Sequence, residues 1–233
     1  MIVTCFYDIY NKPENFTKYF DLFYKIGNSG IPIILFTAPN LVEHFKVFSS
    51  VNVIGLDLKS FELYNLCMAY NGELPNIRCP KKDTKEFLSL MNSKIEFVLK
   101  ASEISDNDTF VWVDFGILKI INNIENFINK LKLINEKKFE KITIPGCWKK
   151  GHAFSVNKVN WRFCGGILII PKKYIQSFYD YSKITIDEFC SLPDLKLTWE
   201  TNIWNIIEER YFKNDEIHWY SANHDDRILI DNI

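Results

Sequence analysis

Apolar residues in this chain fall into two patterns, short continuous runs and stretches with helical spacing. The runs at Ile2–Phe6, 32–36 and 51–56 are rich in β-branched residues and predict buried strands. From Pro13 onward, apolar residues recur at the i, i+3, i+4, i+7 interval, which predicts a helix that ends in the glycine-containing segment 27–30. The first third of the chain is therefore predicted to alternate strand and helix.

The same alternation continues to the carboxyl terminus. Further strands are predicted at 110–113, 141–144, 165–171 and 216–220, and further helices at 39–48, 84–99, 124–131, 174–181 and 199–211. Thr84 is a suitable cap for the helix over 84–99, whose apolar positions form one stripe. The segments 60–83 and 152–166 show neither pattern and are expected to be irregular.

Strands separated by helices of this length are typical of βαβ units. We therefore predict an α/β fold with a mostly parallel central sheet flanked by helices. No linker, repeat or low-complexity tract divides the 233 residues, so we expect a single domain over 1–233.

Charge and cysteine usage narrow the function classes. The net charge is -1, with 28 basic and 29 acidic residues and no basic stripe, which argues against a nucleic-acid partner. The six cysteines show no C-x-x-C pair and no zinc-ligand spacing, so free thiols in a reducing compartment are expected. No apolar stretch approaches the ~18 residues of a membrane helix. These features predict a soluble cytoplasmic protein. It would lie in the bacterial cytoplasm or, if the source is viral, in the cytoplasm of the host cell.

Asp114 directly follows the apolar run 110–113, and Gly116 follows shortly after. A carboxylate at the carboxyl end of a buried strand lies where open α/β sheets bind ligands, so Asp114 is the first candidate active-site residue. The competing interpretation is that Asp114 only caps the next turn. The tripeptide Asp114-Phe-Gly116 also occurs in protein kinases, but the chain has neither an H-R-D loop nor a glycine-rich loop, which excludes that class.

Five short motifs occur along the chain in a definite order: residues 1–8, Met91-Asn-Ser-Lys94, Phe110-Val-Trp-Val-Asp-Phe-Gly-Ile117, Phe163-Cys-Gly-Gly166 and Trp199-Glu-Thr-Asn202. Together they resemble the HtrL/YibB-like bacterial glycosyltransferases, which are linked to surface polysaccharide genes. More broadly, they resemble the GT-A class of nucleotide-diphospho-sugar transferases.

The resemblance implies a GT-A domain with a nucleotide-binding half over about 1–120 and an acceptor-side half over about 121–233. The implied activity is transfer of a sugar from a nucleotide-diphosphate donor, with UDP as the expected carrier, to a glycan or glycoconjugate acceptor. Two alternatives stay open. One is a catalytically inactive sugar- or nucleotide-binding module on the same fold. The other is a sugar-nucleotidyltransferase, although the glycine-rich phosphate loop of that class is missing after the first strand.

The resemblance also implies roles for individual residues. On the donor side, Thr4, Phe6 and Tyr7 would receive the nucleotide base, and Lys94 would reach the ribose or diphosphate. Asp114 matches the first carboxylate of the Asp-x-Asp signature. On the acceptor side, the implied residues are the glycine pair Gly165 and Gly166, and Glu200, which would face the donor sugar or act as the general base.

A divalent cation, Mn²⁺ or Mg²⁺, is implied as cofactor, because it would stabilise the charge on the departing diphosphate. Its expected ligands are Asp114 and a late residue, His224 or Asp225. The second aspartate of the signature is Gly116 here. The other hypothesis is therefore that cationic side chains such as Arg162 replace part of the metal's role.

Overall fold

The computed structural model describes residues 1–213 and 215–230, apart from the side chains of Pro13 and Asn15. Seven strands occur in these residues: β1 (Ile2–Phe6), β2 (Ile33–Thr37), β3 (Val51–Gly55), β4 (Thr109–Val113), β5 (Ile142–Gly146), β6 (Ile167–Pro171) and β7 (Ile217–Ser221). The α-helices are α1 (Pro13–Gly27), α2 (Val42–Phe45), α3 (Glu62–Ala69), α4 (Lys85–Asn92), α5 (Lys94–Glu103), α6 (Ile124–Glu136), α7 (Lys172–Ser191) and α8 (Glu200–Arg210).

All seven strands belong to one sheet, in the order β3-β2-β1-β4-β6-β5-β7. β6 is antiparallel to both of its neighbours, β4 and β5, whereas every other neighbouring pair is parallel. The predicted α/β class, with a mostly parallel central sheet flanked by helices, is confirmed.

Each face of the sheet is covered by its own apolar cluster, because successive strand residues point to opposite sides. In β4, Phe110 and Trp112 join the cluster that contains residues of α3, α4, α5, α7 and α8. Val111 and Val113 join the other cluster, which contains residues of α1, α2 and α6. Burial on both faces explains why inner strands such as β4 and β6 are nearly continuous apolar runs, whereas the edge strands β3 and β7 are only partly buried and mixed in polarity.

The strand order reverses between β1 and β4. The chain adds β2 and β3 on one side of β1 and then returns to place β4 on the other side. In open α/β sheets, such a reversal leaves a crevice at the carboxyl ends of the two strands, where ligands bind. The residues after β1 and β4 therefore border the expected crevice.

The predicted single helix over 84–99 is two helices, α4 and α5, separated at Ser93. The Ser93 hydroxyl donates to the Ser89 carbonyl, and the Asn92 amide donates to the carbonyls of Leu88 and Thr198, all at 2.8 Å. These side-chain bonds compete with regular helix continuation. The apolar stripe continues across the break, which is why spacing alone predicted one helix. The prediction that Thr84 caps α4 is confirmed, since its hydroxyl accepts from the Phe87 N–H at 3.2 Å.

The segment 60–83, expected to be irregular, contains α3. Its first turn is capped from a distance: the backbone N–H groups of Glu62 and Leu63 donate to the Glu96 carboxylate at 2.7 and 2.8 Å. A cap that comes from another helix leaves no local signature in the sequence. No helix in the described ranges is long and apolar enough to cross a membrane.

We predict that Glu96→Ala lowers the free energy of unfolding by about 2–3 kcal/mol, because each orphaned buried N–H costs roughly 1–3 kcal/mol. Urea unfolding followed by circular dichroism measures this. Glu96→Gln keeps one acceptor oxygen and should lose less. Glu125→Ala, in the first turn of α6, should change stability by less than about 0.5 kcal/mol. Equal stability of the Glu96→Ala variant and the parent would refute the capping role.

Candidate active site

A cavity of about 520 Å³ opens at the carboxyl ends of β1 and β4. One part of its wall comes from residues 5–10, which end β1 and follow it, and from residues between 114 and 120 after β4. Another part comes from residues between 79 and 91 and from His224 and Ile228 in the tail. The glycine pair before β6 and the start of α8 complete the wall. The volume lies in the range of about 300–1,000 Å³ that is usual for small-molecule sites.

A buried lysine joins two carboxylates on this wall. The Lys94 ammonium lies 2.8 Å from Oδ1 of Asp114 and 2.7 Å from Oε1 of Glu200, and it donates to the Gly165 carbonyl at 2.8 Å. Lys94 is only 1% exposed. An ammonium has three N–H donors, so three partners satisfy it completely.

Each member of this cluster occupies the end of an element. Lys94 begins α5 because the helix breaks at Ser93, and Asp114 follows β4 directly. Glu200 begins α8, where the helix dipole favours a carboxylate. Rigid elements therefore fix all three charged groups.

The central lysine is charged. Burial by itself lowers the pKa of Lys94, but the carboxylates of Asp114 and Glu200 outweigh burial and raise that pKa above its ordinary value. The lysine therefore stays protonated between its two carboxylate partners.

Each carboxylate keeps one oxygen available. Oδ1 of Asp114 also accepts from the Trp112 indole at 2.7 Å. Among residues 1–213 and 215–230, no hydrogen bond reaches Oδ2 of Asp114 or Oε2 of Glu200. Asp114 is 34% exposed, and both residues line the cavity. The cluster thus holds two carboxylates firmly while leaving each able to contact a ligand.

The glycine pair is required by close packing around these carboxylates. A Cβ at Gly165 would overlap Oε1 of Glu200. A Cβ at Gly166 would lie 2.9 Å from Cδ1 of Ile117 and 3.8 Å from Oδ2 of Asp114. Gly165 and Gly166 both line the cavity.

The space beside Gly116 is taken by an aromatic ring and a cation. A Cβ at Gly116 would lie 2.5 Å from Cε1 of Tyr19. The Lys119 ammonium lies 3.4 Å from the centre of the same ring, a cation–π contact. A second aspartate at position 116 would therefore require Tyr19 to move.

Two predicted donor contacts need correction. Thr4 is buried and does not line the cavity, and its hydroxyl has no hydrogen-bond partner in the described part of the chain. Lys94 has no N–H left for a ribose or diphosphate, so its role is to position Asp114 and Glu200. Phe6 and Tyr7 do line the cavity, although the Tyr7 hydroxyl donates to the Leu56 carbonyl at 2.9 Å.

Arg162 is also not a donor contact. Its guanidinium forms a two-point ion pair with Glu208, at 2.8 and 2.7 Å, and both side chains are buried. The cation also lies over the rings of Phe163 and Trp219, about 5 Å from each centre. Arg162 does not line the cavity. Its charge is engaged by Glu208 away from the cavity.

His224 lines the cavity and packs edge-on against Trp161, with ring centres 4.5 Å apart. Burial, followed by the nearby charge of Lys82, lowers its pKa. The ligand atoms grouped with its imidazole are the thiols of Cys147 and Cys164, within 4.8 Å, and this group does not include Asp114. A metal shared by His224 and Asp114 stays a prediction. The other expected ligand, Asp225, pairs with Arg227 at 2.6 Å.

Two cavity residues were missed from the sequence. Lys82 and Lys119 are exposed and line the cavity, and neither forms an ion pair within the described residues. Lys119 could have been recognised as a cavity residue, because it closely follows Asp114 in the sequence. Lys82 lies in the segment without a clear pattern, where nothing marked it.

We predict that Arg162→Met lowers the free energy of unfolding by about 3–5 kcal/mol, because it leaves the buried Glu208 charge unpaired. Affinity for uridine diphosphate, measured by calorimetry on the folded variant, should stay within about twofold of the parent. Arg210→Met, which breaks a more exposed pair with Glu188, is the matched control and should cost less than about 1 kcal/mol. Lost nucleotide binding at unchanged stability would instead make Arg162 a donor contact.

Comparison with known proteins does not place the chain in a family. No family model matches it, and no curated protein matches it. Among solved structures, it resembles the apo-form glycosyltransferase GlyE of Streptococcus pneumoniae TIGR4, with 9% identity and a TM-score of 0.47, over 95% of this chain and 44% of that one. It also resembles the bifunctional IspDF of Campylobacter jejuni, with 12% identity and a TM-score of 0.39, over 95% of this chain and 49% of that one. The chain spans less than half of either protein, and similarity this weak does not establish a shared activity. The HtrL/YibB resemblance stays a prediction.

Proposed function

We propose that this chain is a glycosyltransferase of the GT-A type, which moves a sugar from a nucleotide-diphosphate donor to a glycan or glycoconjugate acceptor. UDP is the proposed carrier, and polysaccharide biosynthesis is the proposed setting. The observation that carries the proposal is the cluster of Lys94, Asp114 and Glu200 on the wall of the cavity. It presents two fixed carboxylates where the strand order reverses.

The composition of the cavity wall supports a donor with a flat base and a polar sugar. Phe6, Trp161 and Trp199 line it, and aromatic faces suit both nucleobases and the apolar faces of sugars. The parallel strands β1–β4 all fall within the proposed nucleotide-binding half, residues 1–120. The glycine pair and Glu200 come from the proposed acceptor-side half.

The chemistry requires one bond to break and another to form. The bond between the anomeric carbon and the diphosphate oxygen breaks, and an acceptor hydroxyl oxygen bonds to that carbon. The free oxygen of Glu200 is available to accept a hydrogen bond from a sugar hydroxyl, either to orient it or to take its proton. Lys94 acts indirectly, because it holds Glu200 and Asp114 in place.

Negative charge develops on the departing nucleoside diphosphate and must be stabilised. Lys119 and Lys82 are the cations that this chain offers on the cavity wall, since Lys94 and Arg162 are fully engaged elsewhere. Lys119 lies next to the position where the Asp-x-Asp signature would carry its second acid. We assign it to the diphosphate.

A divalent cation, Mn²⁺ or Mg²⁺, fits the one free oxygen of Asp114, because both ions prefer hard oxygen ligands and commonly share one or two carboxylates with substrate phosphates. Such an ion would add positive charge at the diphosphate. Because Gly116 replaces the second aspartate of the signature, the ligands would come from Asp114 and from the donor itself. Glu200 lies close by.

Hydrolysis of a panel of nucleotide sugars without acceptor, scored by released nucleoside diphosphate, tests the proposal. We expect Asp114→Asn to reduce turnover of the preferred donor by at least about 100-fold, because it removes a charge at the reacting centre. Asp106→Asn is the control and should behave like the parent. It replaces an exposed aspartate that precedes the amino-terminal end of β4, whereas Asp114 follows the carboxyl-terminal end.

Normal turnover by folded Asp114→Asn would refute the assignment of the site. A parent protein whose melting temperature rises with uridine diphosphate but which turns over no donor and no acceptor pair would be the inactive binding module. Release of pyrophosphate from a nucleoside triphosphate and a sugar phosphate would instead identify a nucleotidyltransferase.

A second measurement distinguishes the contribution of Lys119 to nucleotide binding from that of the metal ion. Lys119→Met should weaken binding of uridine diphosphate about tenfold, since a charge-assisted contact contributes roughly 1.5–3 kcal/mol. Lys132→Met, an exposed lysine on α6 away from the cavity, should bind like the parent. Calorimetry on chelator-treated protein, repeated with added Mn²⁺ or Mg²⁺, shows how much affinity depends on the ion. Unchanged binding by Lys119→Met would contradict our assignment of this residue to the diphosphate.

A further inference from the structure

Two thiols and an imidazole meet beside the active-site cavity. The Sγ atoms of Cys147 and Cys164 lie 3.6 Å apart, and a ring nitrogen of His224 lies within 4.8 Å of both. Among residues 1–213 and 215–230, this is the one group of three or more cysteine, histidine or acidic side chains close enough to share an ion. None of the three has a role in the proposed transfer reaction.

The separation of the sulfurs matches what a tetrahedral ion needs. With zinc–sulfur bonds of about 2.3 Å, two thiolates on one tetrahedral Zn²⁺ lie about 3.8 Å apart. The observed 3.6 Å is close to this value, whereas a disulfide requires about 2.05 Å. The thiols need almost no movement to bind zinc.

Backbone hydrogen bonds hold the three ligand-bearing segments together. The Cys147 N–H donates to the Trp161 carbonyl at 3.0 Å, and the Cys164 N–H donates to the Pro145 carbonyl at 2.7 Å. Beyond β7, the Ala222 N–H donates to the Gly146 carbonyl at 2.9 Å, which brings the tail and His224 to the same place. The ligands are thus arranged before any ion arrives.

We propose that Cys147, Cys164 and His224 form a Zn²⁺ site with three protein ligands and a fourth position left for water or a small ligand. Thiolate and imidazole ligands select zinc over Mn²⁺ or Mg²⁺, which prefer oxygen. His224 is exposed on the cavity wall and Cys147 is only half-buried, so an ion has a path to the site. The proposal does not depend on the proposed transfer reaction.

A zinc ion here would tie together three segments at the active-site cavity, two of which contribute residues to its wall. It would fasten the tail around His224 to the end of β5 and to the segment that contains Cys164. The next residue, Gly165, holds the Lys94 ammonium through its carbonyl. The ion would therefore stabilise the wall on which the carboxylate cluster depends.

The test uses the full chain, purified with a reducing agent and without chelator, and then stripped and reloaded. We expect one Zn²⁺ per chain by elemental analysis, a higher melting temperature with zinc, and thiolate-to-metal charge-transfer absorption after substitution with Co²⁺. His224→Ala and Cys147→Ser should lower zinc affinity by more than about 100-fold, because loss of a residue that only hydrogen-bonds to a metal ligand already costs about 10–100-fold.

Two variants serve as matched controls. His152→Ala removes another histidine packed on a tryptophan, Trp148, and Cys190→Ser disrupts the other thiol pair, with Cys67. Both should keep full zinc affinity. His224→Ala changes an exposed side chain, so its loss of zinc would not be a folding defect. Failure of the reduced parent to bind zinc or cobalt, or zinc binding that survives both His224→Ala and Cys147→Ser, would overturn the proposal.

Discussion

The Lys94 ammonium, buried among two carboxylates and a carbonyl, is the interaction on which the arrangement of the site depends. Removing an ammonium and carboxylates from water costs several kcal/mol for each ion, so a buried ion cluster is weak evidence for stability. Its value here is geometric. One cation satisfied by Asp114, Glu200 and the Gly165 carbonyl fixes the ends of β4 and α8 and the entrance of β6 relative to α5. A packed apolar core would avoid this desolvation cost, but it could not place two carboxylates at the cavity.

The periodicity of apolar residues was enough to predict the strands and most helices, because both sheet faces are buried over the inner strands, and β1, β2, β4 and β6 are largely apolar runs. The break at Ser93 escaped prediction, since it depends on hydrogen bonds from Asn92 to a distant carbonyl. This break matters for the site, because it makes Lys94 the first residue of α5. The hydrogen bonds of Asn92 and Ser93, one of them to the distant Thr198 carbonyl, therefore decide where the central cation lies.

The candidate site was only partly predictable for the same reason. Asp114 follows a strand, Glu200 begins a helix and the glycine pair precedes a strand, and such positions can be recognised along the chain. Which cationic side chains already have an ion-pair partner depends on contacts between distant segments. Arg162 is neutralised by Glu208 from α8, whereas Lys119 keeps its charge near the cavity. The sequence pointed to Arg162 and missed Lys119, and the ion pair with Glu208 reverses that order.

The thiol–imidazole group and the carboxylate cluster differ in the ions they favour, although His224 of the first and both carboxylates of the second line the same cavity. Oxygen ligands suit Mn²⁺ or Mg²⁺, and the two thiols with His224 suit zinc. The sequence shows no zinc-ligand spacing because the three residues come from three segments that are brought together in the fold, by the β5–β7 pairing and by backbone bonds such as that between Cys164 and Pro145. An ion held there would not need to take part in sugar transfer. By fixing the tail and the Gly165 carbonyl, it would act on the reaction only through the position of Lys94, and hence through both carboxylates.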